Sequence, residues 1–392
     1  MKRIVLAYSG GVDTTCILIY LKEKFGYDVI AYCGDVGQFE SQKEKERIKE
    51  RAIKAGAKKV IFEDLKEEFL KEFCFPALKI GAVYEDKYFL STALSRPLLA
   101  KKLIDVARKF KADAVSHGST GKGNDQVRFE LTFRILAPDL KIIAPLREWE
   151  FSSREEEIDY ILKHGVSIDV KKSSPYSIDK NIWGVSIECG VIEDETKEVP
   201  EEAYILTKGK LPEKERYIEI EYKDGIPYKV NGKKMNPISL IMYLNKIAGS
   251  YKIGRTDLIE SRVVGIKSRE VYEAPAAYIL NEGLRELERM TLQKDILHFL
   301  PVLRNRYSDL IYEGFYFTDL RKAIEAFFDS ISYRLTGKVK FLLRPYSVSI
   351  SSRSSKYSIY KKELSTYTKE SKFDQKWAEG FLKIIGLPWE NK

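Results

Sequence analysis

The sequence predicts a mixed α/β chain: a mostly parallel, doubly wound sheet at the amino end, then a second α+β region and a helical arm. Three observations predict it. Up to about Pro145, short apolar strands alternate with helices, which implies parallel strands covered on both faces. Three polar, glycine-bearing loops follow strands, at the edge where such sheets gather ligands. Beyond residue 166 the pattern becomes hairpins mixed with helices.

In order, IVLAY (4–8) reads as a buried strand, 16–26 as an apolar helix and 28–34 as a strand. A charged helix, 41–57, leads into the strand 58–64. After an irregular segment come a helix over 97–109, a strand over 113–118, a loop, and a strand over 141–146. SSREEEIDYILKHG (152–165) has serine at a helix start, acids in its first turn and glycine at its end, and closes the first domain. Residues 166–190 cross into a region with a hairpin at 216–232 around an Asp-Gly turn and a strand at 261–268. Helices are expected over 237–249, 275–292 and 319–335, and strands over 338–351. The serine-rich stretch 349–358 reads as an exposed hairpin. In the tail, Trp377, Phe381, Ile384 and Ile385 fall on one helical face, suited to packing on its own domain or clasping another subunit. The division expected is 1–166, 167–360 and an arm, 361–392.

With 392 residues, more than one core is expected. No apolar run approaches the roughly 20 residues that cross a bilayer, so no membrane association is expected. The first strand begins almost at once, which leaves no room for a signal peptide. Cys16, Cys33, Cys74 and Cys189 form no C-x-x-C pair, and the three histidines lack ligand spacing. A reducing cytoplasm without a structural zinc site fits best. The net charge of +9 raises the question of nucleic acid, but lysines and arginines alternate with glutamates, as on solvated helix faces, and no nucleic-acid partner is expected. The Lys/Glu richness with few glutamines hints at a thermophilic source.

The turn after the first strand, SGGVDTT (9–15), carries the chemistry. A strand-to-helix turn leaves amide N–H groups unpaired where the helix dipole favours an anion, and phosphate is the obvious guest. Gly10 and Gly11 let the backbone approach, and Ser9, Thr14 and Thr15 add hydroxyl donors. No Gly-Lys-Ser/Thr follows at Walker A spacing, and G-x-G-x-x-G is absent. The bland reading is a tight turn with no ligand.

SGGxDT/S after a first strand resembles the PP-loop of enzymes that split ATP between its α and β phosphates. LAYSGGVDTT, YEDKYFLSTALSRP, SHGSTGKGNDQVRFE, SPYSIDKN, GRTDLIESRVVGIKSR and VYEAPA, in that order, resemble the characteristic segments of the argininosuccinate synthase family. The resemblance implies a PP-loop (HUP-like) nucleotide-binding domain, a synthetase domain completing the amino-acid sites, and a homotetramer with interlocked carboxyl-terminal arms. It implies ligation of L-citrulline to L-aspartate with ATP and Mg²⁺ through a citrullyl-adenylate, releasing AMP and pyrophosphate, with no tightly bound cofactor.

Residue by residue, the resemblance assigns ATP to Ala7, Tyr8, Ser9, Gly10, Gly11, Val12, Asp13, Thr14 and Thr15, with Gly34 and Gly118 at the adenosine. Asp13 would hold magnesium or cap the helix. Aspartate falls to Thr120, Asn124 and Asp125. Citrulline falls to Tyr88, Thr92, Asn124, Arg128, Ser177, Ser186, Glu188, Glu260 and Tyr272, with Arg128 gripping the α-carboxylate in a fork and Glu260 facing the α-ammonium. No side-chain nucleophile is implied; Lys122 would act electrostatically on phosphate. Two positions depart from the family pattern. Thr92-Ala93 stands where some members carry serine second, and Asp35 stands where others carry asparagine, which opens a magnesium role there.

Several residues keep two readings. His117, at a strand end, is structural or catalytic. Either Tyr84 or Tyr88 meets the ligand, and Tyr88 is preferred. Ser177 and Ser186 are ligands or capping residues. Arg96, before Pro97 at an expected helix start, faces the site or the surface. Cys16 and Cys33 read as small core residues. The competing functions are another PP-loop adenylating enzyme, such as a tRNA sulfurtransferase or amidotransferase synthetase, and a non-catalytic nucleotide- or RNA-binding protein. The first would show cysteine pairs or an extra glutaminase domain; the second would have lost polar groups from its loops.

Overall fold

The computed structural model describes residues 2–168 and 175–390; the crossing segment 166–190 therefore lies partly outside the described residues. Strands β1 (Arg3–Ala7), β2 (Asp28–Asp35), β3 (Lys59–Asp64), β4 (Ala114–Ser116) and β5 (Lys141–Ile143) form one parallel sheet in the order β3-β2-β1-β4-β5. The order reverses at β1, so the loops after β1 and β4 open a crevice between them. Helices Val12–Glu23, Gln42–Lys54 and Arg154–Lys163 accompany this sheet. Ser41 and Ser153 cap the last two through Glu44 N and Glu156 N, each cap worth about 1 kcal/mol.

Three expectations in this part are corrected. The helix read from Pro97 begins two turns earlier and runs Ser91–Phe110, so Arg96 sits in its second turn rather than at its start. Pro97 is tolerated there because its turn is packed on both sides: Leu94 and Leu98 lie in the core of the second region, while Ala100, Leu103 and Ala107 pack on the parallel sheet. Residues read as a loop before β5 hold the helix Asn124–Leu136. Its β-branched and aromatic residues obscure the signal, but Phe129, Thr132 and Phe133 repeat at helical spacing and are buried. The strand read over 141–146 ends at Ile143 and turns into a 3-10 segment, Pro145–Arg147.

The second region contains two antiparallel sheets. β6 (Ser177–Lys180), β7 (Val185–Glu188), β11 (Arg255–Ser261) and β12 (Lys267–Glu273) pair in the order β11-β12-β7-β6. β8 (Arg216–Lys223), β9 (Ile226–Val230), β10 (Lys233–Lys234), β13 (Gly337–Arg344) and β14 (Ser347–Ser354) pair as β10-β9-β8-β13-β14. The 216–232 hairpin forms with positive φ at Asp224 and Gly225, and β14 lies largely exposed beside β13. The strand read over 261–268 is instead the turn between β11 and β12, with Gly265 at φ +89°. Helices Pro237–Ser250, Pro275–Thr291 and Asp319–Ser332 form as read, joined by Lys294–Tyr312. The tail helix Trp377–Gly386 buries none of its residues. Cys16 and Cys33 are buried core residues.

Candidate active site

A cavity of about 410 Å³ lies between the loops after β1, β2 and β4 of the parallel sheet and one face of the β11-β12-β7-β6 sheet. At one end is the nest after β1. Thr15 N donates to Gly11 O as the first helical bond (3.1 Å), so Val12, Asp13 and Thr14 amides have no helical carbonyl behind them. Gly10 has φ +80°, and a Cβ there would lie 2.8 Å from two Ile48 carbons, so only glycine fits. Gly11 is ordinary extended backbone. Ser9 Oγ accepts from Gly11 N (3.3 Å) and pairs with Thr14 Oγ1 (3.1 Å), while Tyr8 pairs with Thr15 (3.0 Å).

Ala7, Tyr8, Ser9, Thr14, Gly34 and Gly118 line the cavity. Gly10, Gly11, Val12, Asp13 and Thr15, also read as ATP contacts, are not among the residues lining it. Asp13 makes no capping bond at this helix start; it pairs with Glu157, whose carboxyl is pushed up to about 8 by burial and by the Asp13 charge. The magnesium role read for Asp35 does not survive: its buried carboxylate takes Lys45 (2.5 Å), Lys66 (3.0 Å) and Gly37 N (2.9 Å), leaving no net negative charge for a cation. Those lysines also hold its carboxyl below the usual aspartate value, against burial.

The opposite wall follows from strand alternation. Ser177 and Asp179 on β6, Ser186 and Glu188 on β7, Glu270 and Tyr272 on β12, and Glu260 on β11 all line the cavity. Register aligns them in rows, Ser177 opposite Glu188 and Tyr272 opposite Ser186. On the other face Val185, Ile187 and Val271 pack with Ile192 and Ala203. The two serines read as possible caps are therefore neighbours in a sheet.

Four tyrosines stack beside this wall, Tyr88 on Tyr272 (4.0 Å) and Tyr84 on Tyr312 (3.6 Å). Tyr88, the preferred of its pair, lines the cavity, and its hydroxyl accepts from Thr92 N (2.9 Å) and Ala93 N (3.2 Å). Tyr84 donates instead to Ser261 O (2.8 Å). Tyr272 and Tyr312 both donate to Glu260, whose carboxyl burial raises. Thr92 pairs with Ser186 (3.0 Å), beside a fully buried Ala93.

Between the two ends sits a charge network. Arg96 Nε reaches Asp125 (2.8 Å) and its Nη2 reaches Asp179. Arg128 donates Nε to Tyr312 O (2.9 Å) and Nη1 to Asp125 (3.0 Å), leaving its buried Nη2 with no partner among the described residues. The fork expected of Arg128 is thus already half used by protein, and one nitrogen is left over. Burial alone would raise Asp125, but Arg96 and Arg128 hold it below the usual range. Asn124 bridges Tyr312 OH (2.8 Å) and Val263 N (2.9 Å). Thr120, Asn124, Asp125 and Arg128 all line the cavity; Lys122 is exposed and does not.

The sequence reading missed Asp179, Lys180, Arg262 and Glu270 and left Arg96 open. Arg262 holds Ser268 (2.7 Å), Glu188 (2.6 Å) and Glu270 (2.7 Å). Burial, with Glu188 next, pushes the Glu270 carboxyl up to about 8. Its position two residues before Tyr272 on one strand was the available signal.

The cavity joins an anion nest to carboxylate- and guanidinium-bearing walls, and the comparisons with known proteins agree in kind. Residues 3–167 match the model of the arginosuccinate synthase N-terminal HUP domain, and residues 176–391 that of the arginosuccinate synthase C-terminal domain. The chain is 50% identical to the argininosuccinate synthase of Carboxydothermus hydrogenoformans over 389 residues, 99% of this chain and 96% of that protein. It is 49% identical to that of Chlorobium phaeobacteroides over 388 residues (98% and 96%), and 46% identical to that of Pelotomaculum thermopropionicum over 390 (99% and 96%). The chain belongs to the argininosuccinate synthase family.

Proposed function

We propose that this cavity carries out the family's reaction with the residues and roles that follow. The chain is a C–N ligase of arginine biosynthesis that joins citrulline to aspartate at the expense of ATP. Citrulline's ureido oxygen is a poor leaving group, so it first attacks the α-phosphorus and expels pyrophosphate. Aspartate's amino nitrogen then displaces AMP from the citrullyl-adenylate. Neither step needs a protein nucleophile; alignment, charge stabilisation and exclusion of water supply the rate.

The triphosphate lies on the Val12, Asp13 and Thr14 amides within 7–15, with Gly34 and Gly118 giving the adenosine close approach. Citrulline's α-carboxylate takes the free Nη2 of Arg128. Its ammonium meets Glu188 and Glu260, beside Tyr88, Thr92, Asn124, Ser177, Ser186 and Tyr272. Aspartate's carboxylate falls to Thr120 and its ammonium to Asp125, with Asn124 between the two ligands. Lys122 acts electrostatically at the mouth. The observation that carries this reading is that one cavity is lined both by Ser9 and Thr14 of the nest and by Arg128, whose buried Nη2 has no partner among the described residues.

Mg²⁺ enters with ATP. The Asp13–Glu157 carboxyl pair fits it, because Glu157 Oε2 is buried without a partner among the described residues. Held by these carboxyls, the ion would supply positive charge against the departing pyrophosphate. Residues 1–166 form the nucleotide domain and 167–360 the synthetase domain. The arm 361–392 clasps other subunits of a homotetramer through exposed Trp377, Phe381, Ile384 and Ile385. Among the described residues no helix is long and apolar enough to cross a membrane, and four free thiols suit a reducing cytoplasm.

The test is a product assay with α-labelled ATP, adding each amino acid alone and then both. Labelled AMP and argininosuccinate should appear with the pair. Release of ADP and orthophosphate would rule out this cleavage class, and AMP formed only with tRNA would favour a tRNA-modifying enzyme.

A further inference from the structure

The loop 118–123, between β4 and the helix Asn124–Leu136, contributes Gly118, Ser119, Thr120 and Gly123 to the cavity. It has no regular secondary structure, yet it cannot drift: a Cβ on Gly118 would lie 2.9 Å from Thr14 Cγ2, so the loop presses against the nest. His117, wholly buried at the end of β4, anchors it. Ser119 N donates to His117 Nδ1 (3.2 Å), and His117 Nε2 lies 3.3 Å from Glu130 Oε1. A backbone N–H only donates, so Nδ1 is bare and the ring proton sits on Nε2, directed at the carboxylate. Glu130 is held in turn by Arg147 (2.7 Å) and lies near Arg134 (3.6 Å), and the imidazole stacks on Phe129. Arg147 also reaches Gln126 Oε1 (3.5 Å), whose amide donates to Gly121 O. Both halves of the loop are thereby tied to one Glu130–Arg147 pair.

We infer that His117 is a positioning residue: through Nδ1 it fixes the loop that presents Gly118, Ser119 and Thr120 to the nucleotide and aspartate end of the cavity. This rests on the reaction proposed above. His117 touches no substrate itself, and the citrulline wall of β6, β7, β11 and β12 is built without it.

Two variants separate anchoring from packing. In His117→Asn the amide oxygen replaces Nδ1 and still answers Ser119 N. In His117→Gln the amide falls at the Nε2 position, addresses Glu130 and leaves Ser119 N unanswered. Losing one buried hydrogen bond corresponds to about tenfold, so H117Q should raise the aspartate KM about tenfold, and H117N less than about threefold. The citrulline KM should stay near that of the parent in both. Equal behaviour of the two variants, or a citrulline KM that moves as far as the aspartate KM, would overturn the inference. The tautomer is read separately, from the ¹⁵N spectrum of the histidine-labelled parent protein, with H117N assigning the signal. A bare Nδ1 supports the anchor and a protonated Nδ1 overturns it, whatever reaction the parent performs; failure of the parent to make argininosuccinate would count against the reaction alone.

Discussion

Replacing Arg128 by lysine keeps the charge but removes the planar set of donors. In the structure Nε holds Tyr312 O at 2.9 Å, Nη1 holds Asp125 at 3.0 Å, and Nη2 alone is left for a ligand. One ammonium cannot serve all three directions. Asp125 keeps Arg96 as a partner at 2.8 Å, so the ion network survives, but the substrate carboxylate loses its donor. A charged hydrogen bond is worth about 2 kcal/mol, which corresponds to roughly a 30-fold rise in the citrulline KM. Tyr312 O is also left without its donor, at a stability cost of about 1–3 kcal/mol. The assay follows pyrophosphate release with citrulline varied at saturating ATP and aspartate, alongside thermal unfolding. A folded Arg128→Lys enzyme whose citrulline KM matches the parent's would remove Arg128 from the carboxylate role.

Gly10→Ala places a Cβ at φ +80° and 2.8 Å from Ile48, so stability should drop by at least about 1 kcal/mol and the ATP KM should rise; a parent-like ATP KM would detach the nest from phosphate binding. Burial pushes the Glu270 carboxyl up to about 8 in the folded chain, whereas an unfolded glutamic acid ionises near its ordinary value of 4.5. The native state therefore holds an extra proton between those values, and the parent loses stability as pH rises through that window, by at most about 1.4 kcal/mol per pH unit. Glu270→Gln abolishes that loss, so urea unfolding should find the variant gaining on the parent between about pH 5 and about pH 8; a constant difference would refute the raised carboxyl. Deleting residues from 374 onward removes a helix that buries none of its residues on its own chain, so subunit folding should persist while the assembly shrinks. Unchanged sedimentation would end the clasp reading.

The order of the first strands and their loops was legible because each is declared locally, by an apolar run and a glycine-bearing turn. The start of the helix Ser91–Phe110 was not, because Pro97 imitates a first-turn proline while tertiary packing on two cores carries the helix through it. SRVVGIKS looked like a strand on composition, yet Gly265 in the left-handed region makes it a turn, and the flanking residues are the strands. In the site, Arg128 and the loop segments were recognisable from their neighbours. Arg96 was not, since its acids lie 29 and 83 positions away, and no local pattern announces a guanidinium shared at that separation.

That separation has a consequence for catalysis. Arg96 stands on a helix spanning two cores, Asp125 on the helix after the 118–123 loop, and Asp179 on β6 of the second region. With Arg128 they balance two cations against two acids. Moving β6 away from the helix would strip Asp179 of its counter-charge while Arg96 keeps Asp125, a cost below the several kcal/mol of a fully buried pair because water still reaches Asp179. Opening the cavity toward β6 is thus opposed by the same network that is proposed to orient the substrates. The proposed adenylate must be kept from water between the two steps, and a wall whose separation uncovers charge helps to do so.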